Sequence, residues 1–569
     1  MKPILCPPFA ALEYARPDFA ALQAALDENT RRVQAARTAE ELLAVLAEND
    51  AMMQQANFQS GLAMIRSYLD SSDSFYAAEL QACSQGMARL DDTAIEAAVL
   101  ASPFAAALDE RFGPCYLRRK QTRVRLYAHG HELQAKEQEL TNRYQMLKAT
   151  LRIPFDGADR SEGEMTRYLT SPDRAVRKAA YEARQQAFLA HKEELDTLLD
   201  ELVKNRVALA RANGFDRFVD YINLEKGRHG YGQAELLAFC AQVRQDLVPL
   251  VRQLNEAQAR RLGLERLCAY DMNLTFADGA PKPIGDGPAL LEAGKAMYDA
   301  MDPEIAALYR AMADNGYIDV SQSPHKIAGM GFCEALAPLK LPYIFGNCDG
   351  SMHDTTVLTH EMGHAYQMWR CMCEQPVPEY YDMPNDVVEI PSKAMEQFTS
   401  PYAERFFGAD AAKFRYDHLK YVANEICSFC ATHEYEDWLY ANPDASAQQR
   451  IDTFNAAFAA YGGGVDYSET AALDGAGAQL YRSIGVYMFP GYLISYALSD
   501  MGALEFRARW EADPAAALAD YRTLCGLGGS LDYDGLLAAA HLHTAYAPGA
   551  AARAAQTLAA ALAECEKAL

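Results

Sequence analysis

The stretch Val357-Leu358-Thr359-His360-Glu361-Met362-Gly363-His364-Ala365-Tyr366-Gln367 sets two histidines four residues apart, with a glutamate directly after the first. At about 3.6 residues per helical turn, His360 and His364 leave one face of a helix one above the other and can reach a single cation. Neutral imidazole nitrogens suit zinc, and H-E-x-x-H on a helix is the pattern of a catalytic zinc site with the glutamate as general base. The flanks favour a helix: Ser351-Met352-His353-Asp354 offers short polar caps, and Thr355 to Trp369 contains no proline and Gly363 as its only glycine.

A third ligand is needed for a site that keeps one position open for chemistry. Glu389, 29 residues after His360, lies in Val387-Val388-Glu389-Ile390-Pro391-Ser392-Lys393-Ala394-Met395-Glu396, where it and Glu396 are seven residues apart. That is about two helical turns, which places both carboxylates on one face. A partly buried polar helix is the plainer alternative, although two buried histidines and a glutamate would need partners anyway. The other His-Glu pair, His433-Glu434, has no histidine one turn later and reads as surface.

Bulk properties narrow the function classes. Half of the 569 residues are hydrophobic and 23% are charged, the balance of a globular protein with a large core. A net charge of -24 excludes nucleic acid as the expected partner, because binding phosphates takes Lys and Arg. The thirteen cysteines are odd in number and scattered, which fits reduced thiols in the cytoplasm. Prolines break Met1-Lys2-Pro3-Ile4-Leu5-Cys6-Pro7-Pro8, and no eighteen apolar residues run together, so neither a leader nor a membrane span is expected. The pairs Cys371/Cys373 and Cys427/Cys430 lack structural-zinc spacing and read as small buried packing residues.

Most of the chain carries helical patterning. Phe19, Leu22 and Leu26 keep helical spacing, and Thr38-Ala39-Glu40-Glu41 is a capping box opening onto Leu42, Leu43, Val45 and Leu46. Ile153-Pro154-Phe155-Asp156-Gly157 reads as a turn-rich break, and Ser171-Pro172-Asp173 as a helix start with Ser171 at the cap. A second break spans Phe276 to Pro283. The one convincing β signal comes just before the metal helix, in Gly329-Met330-Gly331-Phe332-Cys333 and Leu341-Pro342-Tyr343-Ile344-Phe345-Gly346-Asn347. A small sheet there could offer an edge for an extended peptide, with Gly331, Phe345, Gly346 and Asn347 as candidate substrate contacts; a structural ribbon is the equal alternative.

With these motifs in place, the chain resembles the oligoendopeptidase F and thimet oligopeptidase family of zinc metallopeptidases, the oligoendopeptidase F branch above all. The resemblance rests on the H-E-x-x-H stretch, on Glu389-Ile390-Pro391-Ser392 with Met395-Glu396, and on Pro342-Tyr343-Ile344-Phe345-Gly346-Asn347. Ser171-Pro172-Asp173-Arg174, Leu202-Val203-Lys204 and Gly528-Gly529-Ser530 extend it over nearly the whole length. It implies a mostly α fold, a large helical ellipsoid with a deep central channel, a small sheet next to the zinc helix, and cleavage of short oligopeptides with one zinc per chain. Matched by position, His360, His364 and Glu389 are the zinc ligands, Glu361 the general base and Glu396 an acid behind the ligands. Tyr492 and Tyr496 match tyrosines thought to hydrogen-bond the transition state. The chain departs from the pattern at Gly485, where relatives usually place a histidine.

The expectation is therefore a cytoplasmic zinc endopeptidase acting on oligopeptides, with no nucleic-acid or membrane partner. Its expected division is an N-terminal helical domain over residues 1–205, forming one channel wall, and a catalytic helical domain over 206–569. Sequence leaves the oligomeric state and the residue preference open. Two other readings stay open with it: a peptide-binding protein of the same fold with weak or lost turnover, and a helical scaffold in which the motif is incidental.

Overall fold

The structure is a computed structural model that describes residues 4–327 and 330–569; residues 1–3 of the proline-broken N-terminus and Gly329 of the first expected strand lie outside the described residues. As expected, helices dominate. The β structure consists of five short strands among the described residues: β1 (Ile153–Phe155), β2 (Ala158–Arg160), β3 (Ile318–Asp319), β4 (Phe332–Leu336) and β5 (Leu341–Phe345). No helix among the described residues is long and apolar enough to cross a membrane.

Two compact units form, each from three separate segments. The first comprises Met1–Arg125, Lys282–Ala411 and Phe506–Leu542. Its helix Phe19–Ala35 starts at the apolar spacing noted above, with the Asp18 carboxylate accepting from the Ala21 N–H. The capping signal at Thr38 opens the long helix Ala39–Leu69: Thr38 Oγ1 accepts from the Glu41 N–H at 3.1 Å. The return bond is displaced by one residue, with Glu41 Oε2 accepting from the Arg37 N–H at 2.7 Å. Leu42, Val45 and Leu46 then go into the core.

The three-stranded sheet of this unit has the order β3-β5-β4, with β3 parallel and β4 antiparallel to β5. Phe332 and Phe345 are direct partners across β4 and β5, and their rings stack at 5.0 Å. One face carries these rings toward Tyr68 of the Ala39–Leu69 helix, at centroid distances of 5.7 and 6.2 Å. Against the sheet also packs the helix His353–Glu374, which bears both motif histidines. Cys371 is buried in this helix but Cys373 is exposed, against expectation. Two residues turn a helix by about 200°, so the two thiols cannot share a face.

The second unit comprises Leu126–Pro281, Ala412–Glu505 and His543–Leu569. Its core gathers Leu140, Tyr144, Leu198, Leu202, Tyr435, Leu439, Tyr481 and Tyr487, with Tyr144 and Tyr487 stacked at 4.2 Å. The expected cut between residues 205 and 206 falls inside this unit, within the helix Lys192–Ala212. Leu198 before the cut and Leu209 after it bury in the same cluster, so no boundary forms there. The expected break at 153–157 is instead a hairpin, in which Asp156 and Gly157 both take positive φ (51° and 73°) and form the two-residue Asp-Gly turn that suits antiparallel strands. The helix expected from Ser171 begins at Arg174, because the Asp173 carboxylate accepts from the Ala175 N–H at 2.9 Å and takes the cap. His433, expected at the surface, is buried on the helix Ala411–Ala441 beside Cys430, Ala431 and Tyr435, while its neighbour Glu434 reaches Arg244 at 3.2 Å.

Candidate metal centre and active site

The metal helix His353–Glu374 is longer than its sequence caps imply. Its first turn is fixed by Asp354, whose carboxylate accepts from the Asp349 and Gly350 N–H groups at 3.1 and 2.8 Å. Behind it, Tyr366 stacks on Tyr521 at 5.8 Å and hydrogen-bonds Glu304, which also pairs with Arg370 at 2.8 Å. These contacts hold the helix on the side away from the histidines.

The second carrier is the helix Ile390–Thr399, with Glu389 at its N-terminal boundary. It lies tightly against the metal helix at Gly363: a Cβ there would fall 2.4 Å from Ser392 Cα and 2.5 Å from Pro391 O. Only a residue without a side chain lets the two backbones come this close. Tyr521 donates to Pro391 O at 2.9 Å and fixes the start of the second helix, and Ser392 Oγ donates to Glu389 Oε2 at 3.0 Å.

His360, His364 and Glu389 converge as expected. Each of the two Nε2 atoms lies 3.2 Å from Glu389 Oε2. Among the described residues they are the group of three able to hold a metal ion. The spacing fits zinc: ligand atoms about 2.0 Å from a tetrahedral ion sit about 3.3 Å from one another. His360 Nδ1 meets Glu396 Oε1 at 2.6 Å, so the Nδ1 proton faces a carboxylate and the Nε2 lone pair is left for a metal. Burial opposes charge on these groups, yet Glu389 and Glu396 hold His360 well above its ordinary value, and the two histidines hold Glu389 well below the usual carboxylate range. The site is thus built around concentrated negative charge. Glu361 is buried beside it, and burial pushes its carboxyl up, against the pull of His360 and His364.

The expected peptide edge needs correction. Phe345 lies in β5, the middle strand, paired with Phe332 on one side and Asp319 on the other. Gly346 donates its N–H to Asp319 O at 2.9 Å. Asn347 spends its amide on the neighbouring loop, accepting from the Ser323 N–H and donating to Ser323 O, both at 3.0 Å. The cause is β3, two residues long and invisible as a sequence pattern, which covers the side of β5 assumed to be free. The terminal strand is β4, and Gly331 immediately precedes it, where an added Cβ would lie 3.6 Å from Glu361 Oε1.

Residues 9–127 match the peptidase M3 N-terminal domain, and residues 167–280 and 296–543 match peptidase family M3. The chain belongs to peptidase family M3, and with it to the metallopeptidases. The N-terminal match ends close to the Arg125/Leu126 boundary of the first unit and far from residue 205. Oligopeptidase PepF of Bacillus subtilis (strain 168) is 23% identical over 399 residues, an alignment that takes in 64% of this chain and 57% of that relative's length. Among solved structures, one provisionally named oligoendopeptidase F is 32% identical with a TM-score of 0.87, over 99% of this chain and 98% of its own. PZ peptidase A, solved with an inhibitor, is 30% identical with a TM-score of 0.87, over 98% of this chain and 99% of its own. The expected family is borne out, as is a mostly α fold with only small sheets.

Tyr492 and Tyr496 belong to the second unit. Tyr496 is on the helix Leu493–Ala512 and Tyr492 just precedes it; their rings are 5.3 Å apart and their hydroxyls converge to 3.5 Å. Gly485 lies buried in the short helix Ile484–Met488, where a Cβ would meet Leu493 Cδ1 at 2.3 Å. Leu493 fills the space a side chain at 485 would need. Sequence reasoning passed over Gly363 and Ser392 as working parts. Both stood in the quoted motifs, but their roles depend on which helix packs against which.

Proposed function

We propose that the protein is a zinc-dependent endopeptidase that hydrolyses short oligopeptides in the cytoplasm, with one zinc per chain held by His360, His364 and Glu389. The observation that carries this reading is the common 3.2 Å spacing of both Nε2 atoms from Glu389 Oε2, with the buried Glu361 beside them. Bound zinc supplies Lewis acidity toward the scissile carbonyl and lowers the pKa of water at the site.

The chain's own groups do the rest. Glu361, with its proton affinity raised by burial, takes a proton from the attacking water and passes it to the leaving amine. Glu396 keeps the His360 imidazole in the Nδ1–H tautomer, and Ser392 keeps the Glu389 carboxylate oriented. The Tyr496 hydroxyl, with Tyr492 beside it, donates to the carbonyl oxygen as negative charge develops there. An extended peptide pairs along β4, which starts beside Glu361.

Oligopeptides as the substrate class follow the family and the name of the Bacillus subtilis relative. The test is a mass-spectrometric digest of a mixed peptide library with wild type, with wild type plus chelator, and with Glu361→Gln. Internal cleavage by the untreated wild type alone is expected. Cleavage by Glu361→Gln at a near wild-type rate refutes the assignment of the base.

A further inference from the structure

The second unit carries an arrangement that the mechanism so far leaves unused. The backbone of Gly491, between Pro490 and Tyr492, is held at both its N–H and its carbonyl by buried ionisable side chains. Its N–H donates to Glu436 Oε2 at 3.0 Å, and its carbonyl accepts from Arg228 Nη2 at 2.8 Å. The same Arg228 donates to Ser495 Oγ at 3.2 Å, one residue before Tyr496, and to Asn223 Oδ1 at 2.8 Å. Glu436, Arg228, Ser495 and Asn223 are all at most 5% exposed. Gly491 has φ 66°, and a Cβ there would sit 3.1 Å from Ile222 Cγ1, so the turn admits little but glycine. Lys226 lies over the Tyr492 ring at 5.7 Å.

We propose that Glu436 and Arg228 are positioning residues that clamp the Gly491 turn and so fix where the Tyr492 and Tyr496 hydroxyls point during peptide hydrolysis. The inference rests on the reading of those tyrosines as oxyanion donors. Stability alone is a poor explanation for the clamp. Both side chains are buried, and taking such a pair out of water costs about as much as its contacts return. What two ionisable side chains on the N–H and the carbonyl of one residue do supply is a single orientation of the two successive peptide groups that meet at it. The clamp does not depend on the carboxyl's charge state, since a neutral carboxyl or a carboxamide also accepts an N–H.

The test is a double-mutant cycle in the full-length, zinc-loaded protein with a fluorogenic oligopeptide, reading kcat, KM, zinc content and melting temperature. Glu436→Met removes the acceptor at similar volume, and Glu436→Gln restores one. Misplacing a donor by about 1 Å costs on the order of 10²-fold in rate. Glu436→Met is therefore expected to lower kcat by about 10- to 100-fold with KM and zinc content within about twofold, and Glu436→Gln to recover most of the loss. In a Tyr496→Phe background the same Glu436→Met change should cost less than about twofold, because the group it positions is gone. Where Glu436→Met does not fold, Glu436→Asp draws the oxygen back by one methylene and serves the same cycle. Full, multiplicative losses in both backgrounds, or a Gln variant no better than Met, overturn the clamp while leaving the tyrosines in place. A Tyr496→Phe single variant with unchanged kcat overturns the oxyanion reading itself.

Discussion

Gly363→Ala should cost the protein its metal, although on a solvated helix the same change would stabilise by about 0.5–1 kcal/mol through helix propensity. The added methyl would lie 2.4 Å from Ser392 Cα and 2.5 Å from Pro391 O, about 1 Å short of ordinary van der Waals contact, and both neighbours are backbone. Neither carrier yields easily. The metal helix is held from behind by Tyr366 on Tyr521 and by Arg370 with Glu304, and the second helix by the Tyr521 hydroxyl on Pro391 O. The gap therefore opens between the helices, carrying Glu389 about 1 Å from the two Nε2 atoms, whereas metal–ligand distances tolerate only about 0.2 Å. Overpacking of this kind costs about 1–3 kcal/mol, which exceeds the propensity gain. Zinc affinity should fall by about 10- to 100-fold, the range found when the surroundings of a ligand are disturbed. The assay is competition with a chromophoric chelator, with melting of the metal-free chain measured separately. Zinc affinity within twofold of wild type would refute the packing argument.

Three further outcomes test the assigned roles. Glu389→Ala should release zinc during dialysis, whereas Glu361→Gln should retain one zinc per chain by elemental analysis and lose hydrolysis; loss of metal from both variants would make Glu361 a structural neighbour rather than the base. Tyr496→Phe should lower kcat by about 10²- to 10³-fold with unchanged zinc content, and Tyr492→Phe should have an equal or smaller effect, so wild-type kinetics in both would leave the tyrosines as packing residues. Gly485→His, which supplies the side chain the family resemblance led one to expect, should lower the melting temperature rather than raise turnover, because its Cβ would meet Leu493 Cδ1 at 2.3 Å and Cγ at 2.9 Å; a stable, faster variant would show that Leu493 can move aside.

What could be read from the sequence tracks how local the determining physics is. His360 and His364 were legible because helix geometry alone sets a four-residue spacing on one face. Thr38 was legible as a cap for the same reason, its bond to Glu41 being made within one turn. Glu389 and Glu396 were legible as a pair, and the structure turns both toward His360, at 3.2 and 2.6 Å. The peptide edge failed because strand position in a sheet is a property of neighbours: β3 contributes two residues, too few for alternation to show, yet they decide that β5 is central. His433 failed in the same way, since a polar residue on a long helix is buried or exposed according to what packs on that turn. The Asp156-Gly157 hairpin was legible in principle, its two residues being the strongest short turn signal, but the strands on either side are three residues each, too short for alternation to show.

Glycine is where local and tertiary determination part most clearly, and it bears on how the site is built. Within the metal helix, sequence alone treats Gly363 as a tolerated weakness, a residue that lowers helix stability without purpose. The structure reverses this, because the missing side chain is what lets Pro391 and Ser392 pass close enough for Glu389 to stand 3.2 Å from both imidazoles. Gly491 does the same for the tyrosines, giving up a side chain so that a turn at φ 66° can be gripped by Glu436 and Arg228. In both places the chemical groups are supplied by residues that a motif can name, and their separation is set by one that has nothing to offer but space. A variant at either glycine thus probes geometry with every reactive group still present, which no substitution of a ligand, base or hydroxyl can do.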